Sequence, residues 1–204
     1  MANVRRITYT AFGNANTYLV SFDGESDALL VDCSRSYKTV KKICEDCGLQ
    51  VKLILLTHGH IDHILDVNKF KTDGAKIAIH SLDADKLYTD KNLGSRFGLY
   101  IDPVEPDILL QEGVIDFNGH SIKVIHTPGH TGGGVSFEID GILFTGDTLF
   151  KGTIGRTDFE DGDYATLMHS LDKLKSYPDD TIVYPGHEYE TTILIEKKYN
   201  PYFK

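Results

Sequence analysis

Short apolar runs closed by glycine, aspartate or asparagine recur along the chain, and they predict strands separated by tight turns. Ile7–Phe12, Thr17–Phe22 and Ala28–Val31 are β-prone runs, parted by the turn residues Gly13-Asn14 and Asp23-Gly24. The period then changes. Val40, Ile43, Cys44 and Cys47 share one face of a helix predicted over Tyr37–Gly48, with Gly48 as its stop. Val51–Leu56 reads as a buried strand, Ile61–Lys71 has helical spacing through Ile64, Val67 and Phe70, and Lys76–Ile79 is a further strand. Residues 81–108 carry the weakest pattern, with a helical turn expected at Leu82–Leu87 and a mobile loop at Asn92–Tyr100. Strands resume at Ile108–Leu110, Val114–Phe117, Ile122–His126, Val135–Ile139 and Ile142–Thr145, with hairpin turns at Asn118-Gly119 and Asp140-Gly141. A helix at Tyr164–Ser176, a strand at Thr181–Tyr184 and a helix from about Tyr189 toward Pro201 complete the reading. No repeat, low-complexity tract or long linker interrupts it, so a single α/β domain over 1–204 is expected, with helices outside and sheets inside.

Composition narrows the function classes. The 204 residues suffice for one large domain, and 41% apolar with 25% charged residues is ordinary for a soluble protein. A net charge of −9 argues against a nucleic-acid partner, because phosphate contacts need a basic surface. No apolar run approaches the ~20 residues of a spanning helix. Nothing of signal-peptide type follows Met1, so no membrane association and a cytoplasmic setting are expected. Cys33, Cys44 and Cys47 are too few for a disulfide scaffold. Cys44 and Cys47 lie late in their helix, away from the N-terminal dipole that activates a thiol, and read as reduced side chains.

The densest chemistry is Thr57-His58-Gly59-His60-Ile61-Asp62-His63. No single helix or strand points all four ligand-type side chains the same way. The spacing predicts a loop leaving a buried strand and entering a helix, with the side chains converging on a shared centre. Imidazole suits zinc, iron, copper and nickel, and carboxylate adds an oxygen ligand. Three later segments repeat the plan of an apolar run ending in a ligand-type residue: His130 after Val124–Gly129, Asp147 after Ile142–Gly146, and His187 after Thr181–Gly186. Glycine directly before each is expected to let the backbone turn where a β-carbon would obstruct.

This set resembles the metallo-β-lactamase superfamily, from about residue 7 to residue 200. The resemblance implies a four-layer αββα sandwich with its site at one edge between the sheets. It also implies two metal ions, zinc first and iron or manganese as alternatives. One would be held by His58, His60 and His130, the other by Asp62, His63 and His187, with Asp147 bridging. Gly146–Phe150, Gly155-Arg156-Thr157-Asp158-Phe159, Tyr184–Tyr189 and Asn200-Pro201 are similar to the glyoxalase II group. The C-terminal glutathione-binding helical domain of the eukaryotic type is not expected, so the chain looks like the short bacterial glyoxalase II-like hydrolases.

The implied chemistry is hydrolysis of a 2-hydroxyacyl thioester such as S-lactoylglutathione. Two metals lower the pKa of a water from about 15.7 toward about 7, and the resulting metal-bound hydroxide attacks the thioester carbonyl. Asp62 and Asp147 would offset charge and orient the nucleophile. No Gly-x-Ser-x-Gly elbow offers a serine instead. Arg156, with Lys151, could meet a substrate carboxylate, and Tyr189 could wall the binding site. Asp32 is expected to order the histidine loop. His80, His120, His126 and His169 are not ligands on this reading, with His126 a buried support and His120 exposed. The nearest rival is a persulfide dioxygenase, which the chain also resembles, using a single iron on His58, His130 and Asp147. A lactonase or other superfamily hydrolase comes next.

Overall fold

Pairing partners, more than side-chain alternation, set where the strands begin. In the computed structural model, which describes residues 1–10 and 13–204, β1 spans Ala2–Tyr9 and starts five residues earlier than the apolar run beginning at Ile7. Its whole length pairs antiparallel with β2 (Ala15–Phe22), from Ala2 opposite Phe22 to Tyr9 opposite Ala15. The end of the strand expected to reach Phe12 lies outside the described residues.

The chain divides into two units, Met1–Leu110 and Gln111–Lys204. In the first, β3 (Asp27–Val31), β4 (Gln50–Leu55), β5 (Lys76–His80) and β6 (Ile108–Leu110) follow β1 and β2 in one mixed sheet, ordered β1-β2-β3-β4-β5-β6. The first three strands are antiparallel, and β3 to β6 are parallel. Parallel strands are buried on both faces, which explains the unbroken apolar runs Leu29–Val31, Leu53–Leu56 and Ile77–Ile79. Helix α1 (Tyr37–Cys47) crosses from β3 to β4 and buries Val40 and Cys44 against Leu30, Ile54 and Ile77. Its C-terminus is Gly48 in the left-handed conformation, as the sequence predicts. All three cysteines are free, and burial pushes the Cys33 thiol well above its usual range, with the Asp32 charge adding to it.

One expectation fails here for a physical reason, and a second segment is more regular than its sequence pattern suggests. Ile61–Lys71 is two helices, α2 (Ile61–Ile64) and α3 (Val67–Thr72). The break falls at Asp66, whose N–H donates to the Cys33 carbonyl (3.1 Å) and not along a continuing helix. The Asp66 carboxylate is spent on α1. Ser36, at the N-cap of α1, makes no side-chain cap, and the Tyr37 N–H donates to Asp66 Oδ2 at 2.8 Å. The segment Asn92–Tyr100, read as a mobile loop, contains the 3-10 turn Gly94–Phe97, preceded by another at Asp90–Asn92. Asn92 orders it by donating to the Lys86 carbonyl and accepting from the Gly94 N–H.

In the second unit the strands are β7 (Gly113–Phe117), β8 (His120–His126), β9 (Val135–Ile139), β10 (Ile142–Gly146), a small hairpin of β11 (Leu149–Phe150) and β12 (Thr153–Ile154), then β13 (Ile182–Pro185) and β14 (Thr191–Thr192). Six of them form a second mixed sheet ordered β14-β13-β10-β9-β8-β7. Strand β9 is antiparallel to both β8 and β10, and β13 is parallel to β10. So β8, β10 and β13 run the same way. Helix α4 (Tyr164–Lys175), capped by Asp163 on the Thr166 N–H (2.7 Å), lays Leu171 and Leu174 on Leu143 and Val183. The last helix, α5, is Ile193–Tyr199 and not a helix from Tyr189, because Thr191 and Thr192 pair with β13 first. No helix among the described residues is long and apolar enough to cross a membrane.

The cap on α1 yields a test. Asp66→Ala should cost about 0.5–2 kcal/mol in urea unfolding, the range for a lost helix cap. Ser36→Ala, which removes no cap bond, should cost much less. Equal effects would contradict the assignment.

Candidate metal-ligand sets at the strand ends

Every ligand-type residue singled out from the sequence follows the carboxyl end of a strand, where open α/β sheets place their sites. In the first unit, His58, His60, Asp62 and His63 follow β4, and Asp32 follows the adjacent β3. In the second unit, His130 follows β8, Asp147 follows β10 and His187 follows β13. These three strands run in one direction, so all three residues leave the same edge of their sheet.

Asp32 organises the first set. It is buried and held at φ +57, a conformation uncommon outside glycine, and its N–H donates to the Leu55 carbonyl at 2.9 Å. Its Oδ1 accepts the Thr57 N–H at 2.8 Å, and its Oδ2 accepts the Thr57 hydroxyl at 2.8 Å and the His63 Nδ1–H at 2.8 Å. Because the single Thr57 hydroxyl hydrogen goes to Asp32, the hydroxyl oxygen accepts from His58 Nδ1, 3.1 Å away. Asp32 thus fixes the Nδ1–H tautomer of His63 directly and of His58 through Thr57. The His58 ring stands 4.2 Å from that of His63 and 4.7 Å from that of His60, centroid to centroid. Asp62 Oδ2 is 3.9 Å from His63 Nε2. The expectation that Asp32 orders this loop matches the contacts.

The loop has a second support that the sequence reading missed. Asp83 Oδ2 accepts the Gly59 N–H at 2.9 Å, and Lys86 Nζ donates to Asp83 Oδ1 at 3.0 Å, with both side chains buried. A β-carbon on Gly59 would fall 2.5 Å from Lys86 Cβ, so the loop passes this pair closely enough to need glycine. Asp83 sits among the acidic and basic residues of an apparent surface turn, and nothing in its spacing marks it as buried.

In the second set, Asp147 Oδ2 lies 3.4 Å from His130 Nε2 and 3.4 Å from His187 Nε2. A charge-assisted hydrogen bond would be about 2.7–2.9 Å. Two ligand atoms about 2.1 Å from one tetrahedral ion stand about 3.4 Å apart, so the spacing suits co-ligands better than hydrogen-bond partners. His130 Nδ1–H donates to the Arg156 carbonyl at 2.7 Å, which leaves Nε2 as the nitrogen that could take a metal. The ring edge of Phe150 meets His187 with centroids 5.8 Å apart. Gly129 and Gly146 have positive φ, +129 and +48, and a β-carbon on Gly129 would collide with the Leu167 backbone. Gly186 has no positive φ, so the turn before His187 does not depend on glycine in the expected way; the left-handed residue there is Glu188, at φ +64.

The other sequence candidates fall at the periphery. The Arg156 guanidinium is exposed and makes a bidentate pair with Asp158, at 2.6 Å to each oxygen, and lies 4.2 Å over the Phe159 ring. That pairing holds the Asp158 carboxyl down to about 2. The Arg156 group that reaches a candidate ligand, His130, is its backbone carbonyl. Lys151 and Tyr189 are exposed. His126 is half-buried, not buried, and its Nε2 bonds the Gly132 carbonyl at 3.0 Å; His120 is half-buried, not exposed. His169 is exposed, and His80 is buried with Nδ1 accepting the Leu82 N–H.

Comparison with known proteins agrees with this arrangement. Residues 10–187 match the family model described as the metallo-beta-lactamase superfamily. The chain is 38% identical over 208 residues to the hydroxyacylglutathione hydrolase GloC of Haemophilus influenzae, covering 98% of this chain and 97% of that protein. Its fold is similar to the crystal structure of the BLEG-1 B3 metallo-beta-lactamase, with a TM-score of 0.92 and 30% identity over 99% of this chain and 100% of the other. It is also similar to TTHA1623 in a di-iron-bound form, with a TM-score of 0.86 and 31% identity over 98% of this chain and 100% of the other.

Asp32→Ala should weaken metal binding about 10- to 100-fold, the usual cost of losing a hydrogen-bond partner behind a ligating histidine. Thr57→Val, which removes the hydroxyl linking Asp32 to His58 but leaves the Asp32–His63 contact in place, should have a smaller effect in the same direction. Chelator competition measures both, and wild-type affinity in Asp32→Ala would contradict the role given to this carboxylate.

Proposed function

Because the chain belongs to the metallo-beta-lactamase superfamily, we propose that its two ligand sets act as one centre for two divalent metal ions, in a glyoxalase II-like thioesterase whose residues 1–204 work as a single domain. The observation that carries this reading is the shared treatment of three imidazoles. His58, His63 and His130 each have Nδ1 bonded to an oxygen acceptor, from Thr57, Asp32 and the Arg156 carbonyl respectively. Metal-ligating histidines are held in this way.

His58, His60 and His130 would hold one ion and Asp62, His63 and His187 the other, and Asp147 would be available to both. Zinc fits this nitrogen-rich set, with iron or manganese as alternatives. Two such ions supply Lewis acidity and bring the pKa of a water toward ~7. The protein's own groups then divide the remaining work. The Asp62 and Asp147 carboxylates accept a hydrogen bond from the attacking water and aim its lone pair at the thioester carbonyl. Asp32, Thr57 and the Arg156 carbonyl keep the imidazoles from rotating as charge develops. The leaving thiolate is weakly basic and needs little help from a general acid, which is consistent with a centre whose carboxylates serve as ligands. Arg156, Lys151 and Tyr189 are proposed to meet the acyl or thiol portion of the substrate, Arg156 by exchanging Asp158 for a substrate carboxylate. The 38% identity to a protein named as a hydroxyacylglutathione hydrolase supports a 2-hydroxyacyl thioester as substrate.

Elemental analysis of protein purified without added metal, together with an S-D-lactoylglutathione hydrolysis assay, tests this. About two metals per chain are expected, with turnover lost to a chelator and restored by Zn²⁺. One iron per chain, no thioester hydrolysis and oxygen uptake with glutathione persulfide would overturn the hydrolase in favour of a dioxygenase.

A further inference from the structure

Glu196 is a fully buried carboxylate on α5 that none of the chemistry above uses. No cation among the described residues pairs with it. It accepts three neutral donors instead: the Gly152 N–H at 2.8 Å and the Asn200 Nδ2 at 2.8 Å on Oε2, and the Thr191 hydroxyl at 2.6 Å on Oε1. An acceptor-only group is the one side chain of this size that can satisfy three donors at once.

Two of the three donors, Gly152 and Thr191, come from the segments that leave Asp147 and His187, and the third, Asn200, ends α5 itself. Gly152 is in the turn of the β11–β12 hairpin, which follows Asp147 directly, and Asn200 Nδ2 also donates to the Thr153 carbonyl, at the start of β12, at 3.0 Å. The hairpin delivers Gly155 and Arg156. Gly155 passes so close to the Asp147 carbonyl oxygen that a β-carbon there would occupy the same space, and Arg156 supplies the carbonyl that orients His130. Thr191 lies in β14, four residues beyond His187 and opposite Val183 of the strand that leads into it.

We propose that Glu196, with Asn200, is a positioning residue for the second ligand set: its carboxylate holds the β11–β12 turn and β14 in fixed register, and through them the geometry of His130, Asp147 and His187. The proposal rests on the metal-centre reading above. Rotation of an imidazole or a small shift of Asp147 is enough to spoil a site that needs ligand placement within about 0.5 Å. A purely structural Glu196 would stabilise α5 without affecting metal affinity.

Glu196→Gln and Thr191→Val separate the two. Gln keeps the size of the side chain but sets an NH₂ against a donor, and Val removes one donor while keeping a β-branched shape. Metal-free wild type and variants are titrated with Co²⁺, followed by its visible absorption, and melted in the metal-free state. The expected result is Co²⁺ binding weakened about tenfold or more in Glu196→Gln, with a smaller loss in Thr191→Val. This weakening should remain in any variant whose metal-free melting temperature stays near wild type. If Glu196→Gln does not fold, Thr191→Val alone decides. Lower melting temperatures with wild-type Co²⁺ affinity overturn the proposal and leave the metal centre intact. A wild type that takes up no Co²⁺ overturns both.

Discussion

An imidazole can serve a metal with only one nitrogen, and the other carries a hydrogen that must go to an acceptor. Burial makes that requirement strict, because an unmade hydrogen bond costs about 1–3 kcal/mol away from water. Much of the local architecture around the ligand-type histidines follows from it. The Asp32 carboxylate receives the His63 Nδ1–H and, through the Thr57 hydroxyl, anchors His58. The Arg156 carbonyl receives His130. These acceptors set both the tautomer and the ring plane, as the proposed metal centre would require of a scaffold that binds an ion without reorganising.

The same acceptors explain irregularities elsewhere. Asp32 adopts an uncommon positive φ at the end of β3, and its own N–H is secured by the Leu55 carbonyl of β4. Such backbone persists only where surrounding bonds over-determine it, and three donors converge on this carboxylate. The buried Asp83 and Lys86 pair treats Gly59 similarly, fixing the backbone between His58 and His60. Buried charges are tolerated here because each is matched by donors or by an opposite charge.

The sequence made the candidate ligands legible and left the groups that hold them mostly hidden. Ligand-type side chains announce themselves by type and by position after apolar runs, so His58, His60, Asp62, His63, His130, Asp147 and His187 could be read directly. Asp32 was legible for the same reason, since it closes a buried strand. The Arg156 carbonyl was not, because every residue has one. Thr57 and Asp83 look like ordinary turn residues until burial is known. Among elements, the parallel strands were clear because burial on both faces leaves a continuous apolar run. Two-residue strands such as β11, β12 and β14 have no periodicity to detect. The split of Ile61–Lys71 into two helices depends on a carbonyl of Cys33 from a distant segment, which no local pattern encodes. Glu196 reads as one more charged residue on a terminal helix, and only its three donors show that it faces inward.

The central proposal is that the two candidate ligand sets serve one two-metal centre. Anomalous X-ray diffraction from crystals of the metal-loaded protein, collected across the edge of the bound metal, tests it most directly. The account predicts two anomalous peaks about 3.5–4 Å apart, one contacted by His58, His60 and His130 and the other by Asp62, His63 and His187, with Asp147 touching both. A single peak, or two peaks too far apart to share Asp147, would contradict it.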